Sequence, residues 1–518
     1  MASKELILCL SIGHLHMLRH FVCLWFVFFT QQKNQPVQIF LYLCEDKIIQ
    51  ISTLKERTVK DYKMTNKKAA KKTTVKKKQT AKTKPNKEAV WPGLEAGVPK
   101  PLMPYSPAIK AGDWVFIAGQ IASDFQTGLA PEVLASNTQL DSELSLQTNF
   151  VLTNLANTIK ASGCDVNEHM VRMWQWLVSD RPSESDFSKG NNWPAIGLKP
   201  YLNVRDKIVK KPAPPSSYLG VRELLCLGTL LEVDMICLND KNKTVTIKKP
   251  KGTAKTAGGH SVGIRRGDWV FLASENASDL IENTASTQWQ EDAVERQTEH
   301  ILDKLSAHAK SAGSSLAKAV KADVYIGHPN DFAAMDRVWK RRFPNNPPAR
   351  VVIPYMGMGA AGSRVEVALT LLTNRSKTKA TTIETADAPQ PLGHEPQAVK
   401  AGDLLFFSTQ MAFDSTGNLA EGMVRHPSFP WYGSPGQAQM RYMMKNINAI
   451  CGAAGTSTEN ICRRVCFHDD FQWFAESIEE WASYFPDDKP ASTTIRLGGP
   501  FVVPGANTLL DLIAYAPD

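Results

Sequence analysis

The residue types that most often carry metal or redox chemistry are scattered along this chain. Its nine cysteines include no CxxC pair and none at metal-ligand spacing from a histidine, so neither a zinc site nor a disulfide framework is indicated. Cys462 and Cys466 stand four residues apart in an alternating, strand-like run, where such positions share a face about 13 Å apart. That distance is too long for a disulfide, so we expect both side chains in the core. No metal or cofactor is predicted, and the cytoplasm is the expected location.

The formal net charge of +9 comes from one short segment. Met64 to Glu88 carries ten lysines and one glutamate, and the rest of the chain is near neutral. This Lys/Thr/Ala tract has no apolar periodicity and cannot bury enough surface to fold. It is predicted to be a disordered tail that either contacts nucleic acid nonspecifically or only aids solubility.

The first 63 residues are apolar but interrupted. Residues 6–30 suggest a membrane segment, yet His14, His16, Arg19 and His20 lie at its centre, where a bilayer disfavours them. No small-residue cleavage site follows, so a signal peptide is a poor match. We expect residues 1–63 to be an extension ahead of a start at Met64, with no membrane contact unless residues 1–30 are real.

Three segments of the chain open alike, which predicts internal repeats. They begin at Pro104, Gly258 and Leu392, and each places a Gly-Asp turn before a run dense in Val, Leu, Phe and Trp. An amphipathic helix follows in each repeat and ends on Gly163, Gly313 or Gly455, as a left-handed C-cap prefers. A strand, a second helix and two strands complete the pattern.

This order, β-β-α-β-α-β-β, predicts an α+β fold with a mixed sheet and two helices on one face. Polar segments short of aromatic residues separate the repeats and are typical of linkers. The predicted organisation is an extension 1–63, a tail 64–89, domains 90–238, 258–373 and 390–518, and linkers 239–257 and 374–389.

The stretch from Trp91 to Asp518 resembles the RidA/YjgF family, also called endoribonuclease L-PSP, with a chorismate-mutase-like fold. The openings quoted above and the second repeat's PPARVVI and RVEVALTLL carry the resemblance. Family members are trimers with active sites in the clefts between neighbours. The resemblance therefore implies a monomer that acts as an intrachain pseudo-trimer; three separate domains on a string are the alternative.

The resemblance implies hydrolysis of small 2-imino acids or enamines to 2-keto acids and ammonia. A guanidinium suits the substrate carboxylate because of its planar fork, and a carboxyl group can position water and shuttle a proton. Arg350 and Glu366 match the family's two catalytic residues, and Tyr105, Gly119, His260 and Asp336 match its substrate-binding positions.

The first and third repeats depart from this pattern. Ser216 and Ser492 stand where the arginine is expected, Glu232 and Asp511 are the expected counterparts of Glu366, and His394 that of Tyr105. We therefore expect one pocket, with Tyr105 and Gly119 as residues that could complete the site of Arg350. Two alternatives stay open: a noncatalytic ligand-binding or assembly module, and an endoribonuclease, although repeat-matched positions show no His-His or His-Lys pair.

Overall fold

The computed structural model describes residues 27–29, 39–41, 87–134, 142–179, 197–250, 256, 258–282, 292–358 and 362–518. The chain divides into two units, Met1–Lys82 and Thr83–Asp518. In the first unit, strands Val27–Phe29 and Ile39–Leu41 pair antiparallel. Most of the N-terminal extension and of the Lys-rich tail lies outside the described residues, as does the Ser-, Asn- and Pro-rich insertion at 180–196.

The first repeat forms a sheet of six strands. In spatial order the strands are Lys87–Val90, Ala108–Ala111, Trp114–Gln120, Leu231–Leu238, Met170–Val178 and Ser216–Val221. The last two are parallel and the other neighbours antiparallel. The helices are Pro131–Leu134, Glu143–Ala161 and Lys199–Ile208.

The second repeat follows the same path. Its strands in spatial order are Thr244–Thr246, Gly263–Arg266, Trp269–Leu272, Val365–Leu372, Ala319–Ile326 and Ala349–Ile353, with Glu275–Asn276 pairing beside Val365–Leu372. Its helices are Ser278–Glu282, Ala293–Ser311 and Phe332–Arg342. The predicted α+β class with a mixed sheet is confirmed.

The third repeat has the same spatial order of strands. Its strands are Ala380–Ile383, Ala398–Ala401, Leu404–Phe407, Thr508–Tyr515, Ile461–His468 and Ala491–Arg496. Its helices are Pro435–Ala453 and Phe474–Ser483. Strand Glu223–Leu224 of the first repeat joins the edge of this sheet beside Ala491–Arg496.

Each sheet begins with an edge strand that the sequence did not predict. Thr244–Thr246 lies in the segment 239–257 and Ala380–Ile383 in the segment 374–389, both expected to be linkers. Lys87–Val90 likewise begins within the expected tail. Each strand pairs antiparallel with the second strand of its repeat, so these segments belong to the sheets.

The sheet faces opposite the helices share one core. Trp114 packs edge-on against Trp269 at 5.0 Å between ring centroids, and Trp269 contacts Phe406 at 6.2 Å. Trp176 lies 5.7 Å from Phe467 of the third repeat. Apolar side chains of all three repeats are therefore buried together, and the repeats are not separate domains on a string.

A ring of buried ion pairs runs through this core. Arg172 of the first repeat lies 3.9 Å from Asp323 of the second. Lys321 of the second repeat contacts Asp511 of the third at 2.6 Å. In the third repeat, Arg463 contacts Asp234 of the first at 2.7 Å and Asp511 at 2.9 Å. Arg172, Lys321 and Arg463 hold matching places on their middle strands, so each repeat extends a cation to the next.

Candidate functional site

Strand register fixes which residues correspond between repeats. Backbone N–H groups of Ala118, Ala273 and Ser408 donate to the residue just before the second strand of each repeat. Gly119, Ser274 and Thr409 follow these donors and therefore match, as predicted. Counting back from the same strands, Tyr105 matches His260 and Glu395. The expected match of Tyr105 with His394 is wrong by one residue.

The last strand of each repeat requires a second correction. Glu232 lies opposite Trp176, Glu366 opposite Tyr325, and Leu509 opposite Phe467, at one position of the repeat. Asp511 lies two residues further on, opposite Val465. The third repeat therefore has leucine at the carboxyl position, and Asp511 belongs to the buried ion ring instead.

Arg350 and Glu366 do not share a pocket, contrary to the sequence prediction. Arg350 lies opposite Ala322 of the middle strand, and Glu366 lies opposite Tyr325 of that strand. Positions three apart on a strand point to opposite faces of the sheet. Arg350 accordingly packs on the helix side, 4.9 Å from the ring of Trp339, whereas Glu366 faces the shared core.

Arg350 lies between the second and third repeats, in what we call the ion-paired cleft. Its Nη2 contacts Asp336 at 2.5 Å and also Glu395. Both carboxylates belong to the protein, so the guanidinium charge is already compensated. The expected completion of this site by Tyr105 and Gly119 of the first repeat is wrong, because Glu395 and Thr409 of the third repeat lie beside Arg350.

We call the cleft between the first and second repeats the serine cleft, because Ser216 stands there at the position that matches Arg350. This cleft is filled by protein side chains. Tyr218 packs against His260 at 5.3 Å between ring centroids and accepts a 2.6 Å hydrogen bond from Arg205. Burial lowers the pKa of His260 to about 3. Burial raises the pKa of Glu366 to about 7, against the effect of hydrogen bonds from Ser274 and Asn276.

The cleft between the third and first repeats, here the open cleft, holds a cavity lined by residues of both repeats. The first repeat contributes Tyr105, Gly119 and Glu232, and the third contributes Arg464, Ser492 and Thr494. A cavity in which a few polar groups converge among apolar side chains is typical of a small-molecule site. Three sequence-predicted positions thus meet here, with an arginine that was not predicted.

Glu232 is held close to the backbone of Gly119. A Cβ atom at Gly119 would lie 1.9 Å from Glu232 Oε1 and 2.8 Å from Thr493 Oγ1. Burial, reinforced by Asp234, raises the pKa of Glu232 well above its usual range, although the backbone N–H of Thr494 donates to it. The same burial raises the pKa of Tyr105. The raised pKa of Glu232 favours its protonated form.

Arg464 is fully buried at 1% exposure and lines the same cavity. It lies opposite Ser492 in the sheet, and its Nη1 donates to Ser492 Oγ at 2.9 Å. Among the described residues, its Nε and Nη2 atoms have no hydrogen-bond partner of good geometry, with the neutral Cys466 thiol as a polar neighbour. A buried cation with unused N–H groups is suited to a carboxylate.

In the open cleft, the positions that match the two carboxylates beside Arg350 are uncharged. Tyr105 stands at the position of Glu395. Ile478 stands at the position of Asp336, four residues after the phenylalanine that begins each helix. Within the described residues, no ion pair joins Arg464 to a carboxylate. Arg464 thus places a guanidinium in the open cleft, as Arg350 does in the ion-paired cleft, but without the anionic partners of Arg350.

The described residues include no group of three or more His, Cys, Asp or Glu arranged to hold a metal ion. Among the described helices, none is both long and apolar enough to cross a bilayer. The membrane alternative for residues 1–30 falls almost wholly outside the described ranges.

Comparison with known proteins gives the family. Residues 96–238, 251–372 and 385–499 match the family model Endoribonuclease L-PSP. A RutC family protein of Pyrococcus horikoshii is 33% identical over 116 residues, covering 22% of this chain and 82% of that protein. One from Aquifex aeolicus is 34% identical over 116 residues, with the same coverage. RidA from an Antarctic Psychrobacter is 28% identical, covering 26% of this chain and 98% of its own, with a TM-score of 0.22.

The chain therefore belongs to the endoribonuclease L-PSP family, the RidA/YjgF family that its sequence resembles. Three successive matches make it a tandem three-domain member.

Proposed function

We propose that the protein hydrolyses 2-imino acids or their enamine tautomers to 2-keto acids and ammonia in the open cleft. The observation that carries the proposal is that Arg464 and Glu232 line one cavity, where Nε and Nη2 of Arg464 have no hydrogen-bond partner among the described residues and burial raises the pKa of Glu232. Family membership supports the reaction class. The site differs from the one predicted from sequence, which combined Arg350 and Glu366.

The two residues divide the chemistry. Arg464 binds the substrate carboxylate through its free N–H groups, which also orients the imine carbon. Glu232 donates its proton to the imine nitrogen, and the resulting carboxylate accepts a proton from the attacking water. That proton passes to nitrogen, the C–N bond breaks, and ammonia leaves. The hydroxyl proton returns to Glu232 as the keto group forms, so one water is consumed and Glu232 is regenerated.

An enamine substrate is protonated at carbon instead of nitrogen. Proton transfer from Glu232 to its β-carbon gives the protonated imine and the Glu232 carboxylate, from which water attack proceeds as above. Tyr105 lies on the same cavity wall, and its raised pKa keeps the phenol protonated as a hydrogen-bond donor.

We also propose that the three repeats work as a single-chain counterpart of a trimer. The shared aromatic core and the ring of ion pairs join the first repeat to the second, the second to the third, and the third to the first. In this arrangement, one cleft is kept for chemistry, while protein carboxylates pair with the arginine of the second and protein side chains fill the third.

The test uses an imine that is generated in situ. It compares the rate of ammonia release with the protein beginning at Met64 and with two matched variants. Arg464→Met removes the arginine that we propose binds the substrate carboxylate. Arg350→Met removes the arginine that the sequence predicted for this role. We expect a loss of about 10- to 150-fold in kcat/KM for Arg464→Met, as for a lost hydrogen bond to a charged group. Arg350→Met should retain the rate of the parent protein.

A noncatalytic binding module is the second candidate, because the ion-paired and serine clefts hold no free cation for a substrate among their described residues. Binding of a 2-keto acid without accelerated ammonia release in the parent protein would favour this candidate over the deaminase. Equal loss in both arginine variants would instead point to a folding defect and would remove the support for the open cleft.

A further inference from the structure

The open cleft has a more apolar wall than is needed to bind a carboxylate and transfer a proton. Beyond the polar groups, the cavity is lined by apolar side chains from both repeats. They are Met103, Ile121, Phe125, Leu225, Phe474 and Ile478. Such a wall has no hydrogen-bond partners for a polar substituent, and burying an unpaired polar group there is costly.

Ile478 is the clearest difference from the ion-paired cleft. Asp336, at the matching position, contacts Arg350. Its replacement by isoleucine leaves Arg464 free and adds a branched apolar group beside the guanidinium. The exchange thus changes two properties of the cavity: the carboxylate of a ligand can reach the arginine, and the neighbouring space favours hydrocarbon.

Leu225 is held in place by the junction between the first and third repeats. The preceding strand Glu223–Leu224 pairs with Ile495 and Arg496, and Arg496 contacts Glu223 at 2.6 Å. This pairing fixes the loop on which Leu225 faces the cavity, while its neighbour Leu227 points outward at 81% exposure.

Phe125 closes another part of the wall. Its backbone adopts a left-handed conformation with φ of 59°, and its N–H donates to Ser123 Oγ at 3.0 Å. The ring packs edge-on against Tyr105 at 6.4 Å between centroids. A non-glycine residue in this conformation is uncommon, and here it directs an aromatic ring toward the proposed reaction centre.

We propose that the open cleft selects 2-imino acids with a branched or aromatic hydrocarbon side chain over those with a methyl group. The inference rests on the proposed function. Arg464 binds the carboxylate, Glu232 faces the imine, and the side chain fills the space lined by Ile121, Phe125 and Leu225. A methyl group leaves this apolar surface in contact with water, which lowers transition-state binding.

The test compares imines generated in situ from L-leucine and L-alanine by an amino-acid oxidase. We expect kcat/KM to be at least about tenfold higher for the leucine-derived imine, the scale of discrimination that hydrocarbon pockets achieve. Leu225→Trp, which narrows the cavity, should lower the leucine value about tenfold or more and reduce the ratio of the leucine value to the alanine value. The matched control Leu227→Trp should change neither value.

Calorimetric binding of 4-methyl-2-oxopentanoate and pyruvate separates this inference from the proposed function. Tighter binding of the larger keto acid, lost in Leu225→Trp, supports the selectivity even if neither imine is turned over. Equal kcat/KM for the two imines overturns the selectivity while the deaminase proposal stands. If the protein neither binds the keto acids nor turns over the imines, the selectivity and the proposed function are both overturned. Thermal unfolding of each variant shows whether the fold is intact.

Discussion

The guanidinium of Arg464 lies 4.9 Å from the ring centroid of Trp481, the same distance that separates Arg350 from Trp339. The two tryptophans match, since each stands seven residues after the phenylalanine that begins its helix. The arginines do not match, because Arg464 lies on the middle strand and Arg350 on the strand beside it. Two positions in the sheet thus deliver a cation to the same helix surface.

Because both positions face the same helix surface, an arginine at position 492 is predicted to replace Arg464. In an Arg464→Ala background, Ser492→Arg restores arginine at the position that matches Arg350. We expect the single variant to lose about 10- to 150-fold in kcat/KM and the double variant to recover at least about tenfold, because the new guanidinium faces the same cavity. Lysine at 492 should recover less, since it lacks the planar fork. No recovery with arginine would show that the placement on the middle strand is required.

The fold was largely predictable because its signals are periodic. The helical stripes are buried at Val151, Leu155, Ile301, Leu305 and Ile447, and the predicted glycine caps have positive φ. The edge strand Thr244–Thr246 was missed because all three of its residues are exposed. A run of three residues is shorter than the roughly four to eight over which alternation of apolar and polar residues indicates a strand.

The site was harder to predict, because its residues come from different repeats and different faces. Arg350 and Glu366 stand 16 residues apart in one repeat, but strand parity places them on opposite sides of one sheet. Arg464 was missed because the motif directs attention to Ser492. The consecutive Arg463 and Arg464 were a usable signal, since neighbours in a strand face opposite sides and only one of them could serve the core ion ring.

Gly119→Ala is predicted to disable the open cleft without unfolding the protein. The new methyl group would lie 1.9 Å from Glu232 Oε1, so the carboxyl group must move away from the substrate. We expect a loss of about 100-fold in kcat, the scale of misplaced general acid–base catalysis. Gly452→Ala is the control, because nothing lies within 4 Å of a Cβ there and alanine favours a helix. Both variants should be compared by ammonia release and thermal unfolding.

Asp511→Ala is predicted to destabilise the packing of the second and third repeats. The carboxylate contacts both Lys321 and Arg463 and is about 5% exposed. Its removal leaves two buried cations short of a partner, a loss of about 3–5 kcal/mol in the free energy of unfolding. Asp518→Ala removes the exposed pair with Lys400 and should leave the free energy of unfolding almost unchanged. Urea unfolding measures both, and equal small effects would argue against the ring as a stabilising feature.

Glu366→Gln is predicted to change the pH dependence of stability. Burial raises the pKa of this carboxyl group from 4.5 to about 7 in the folded protein. Between these values the unfolded chain releases the proton and the folded protein keeps it, so stability falls as pH rises. The group costs about 3 kcal/mol by pH 7, on the scale of 1.36 kcal/mol per pKa unit. Glutamine removes this dependence, so the variant should gain about that much over the parent between pH 4.5 and 7. Near pH 4 both side chains are neutral, and the two proteins should unfold at similar urea concentrations. A constant difference across this range would mean that Glu366 is ionised in the folded protein.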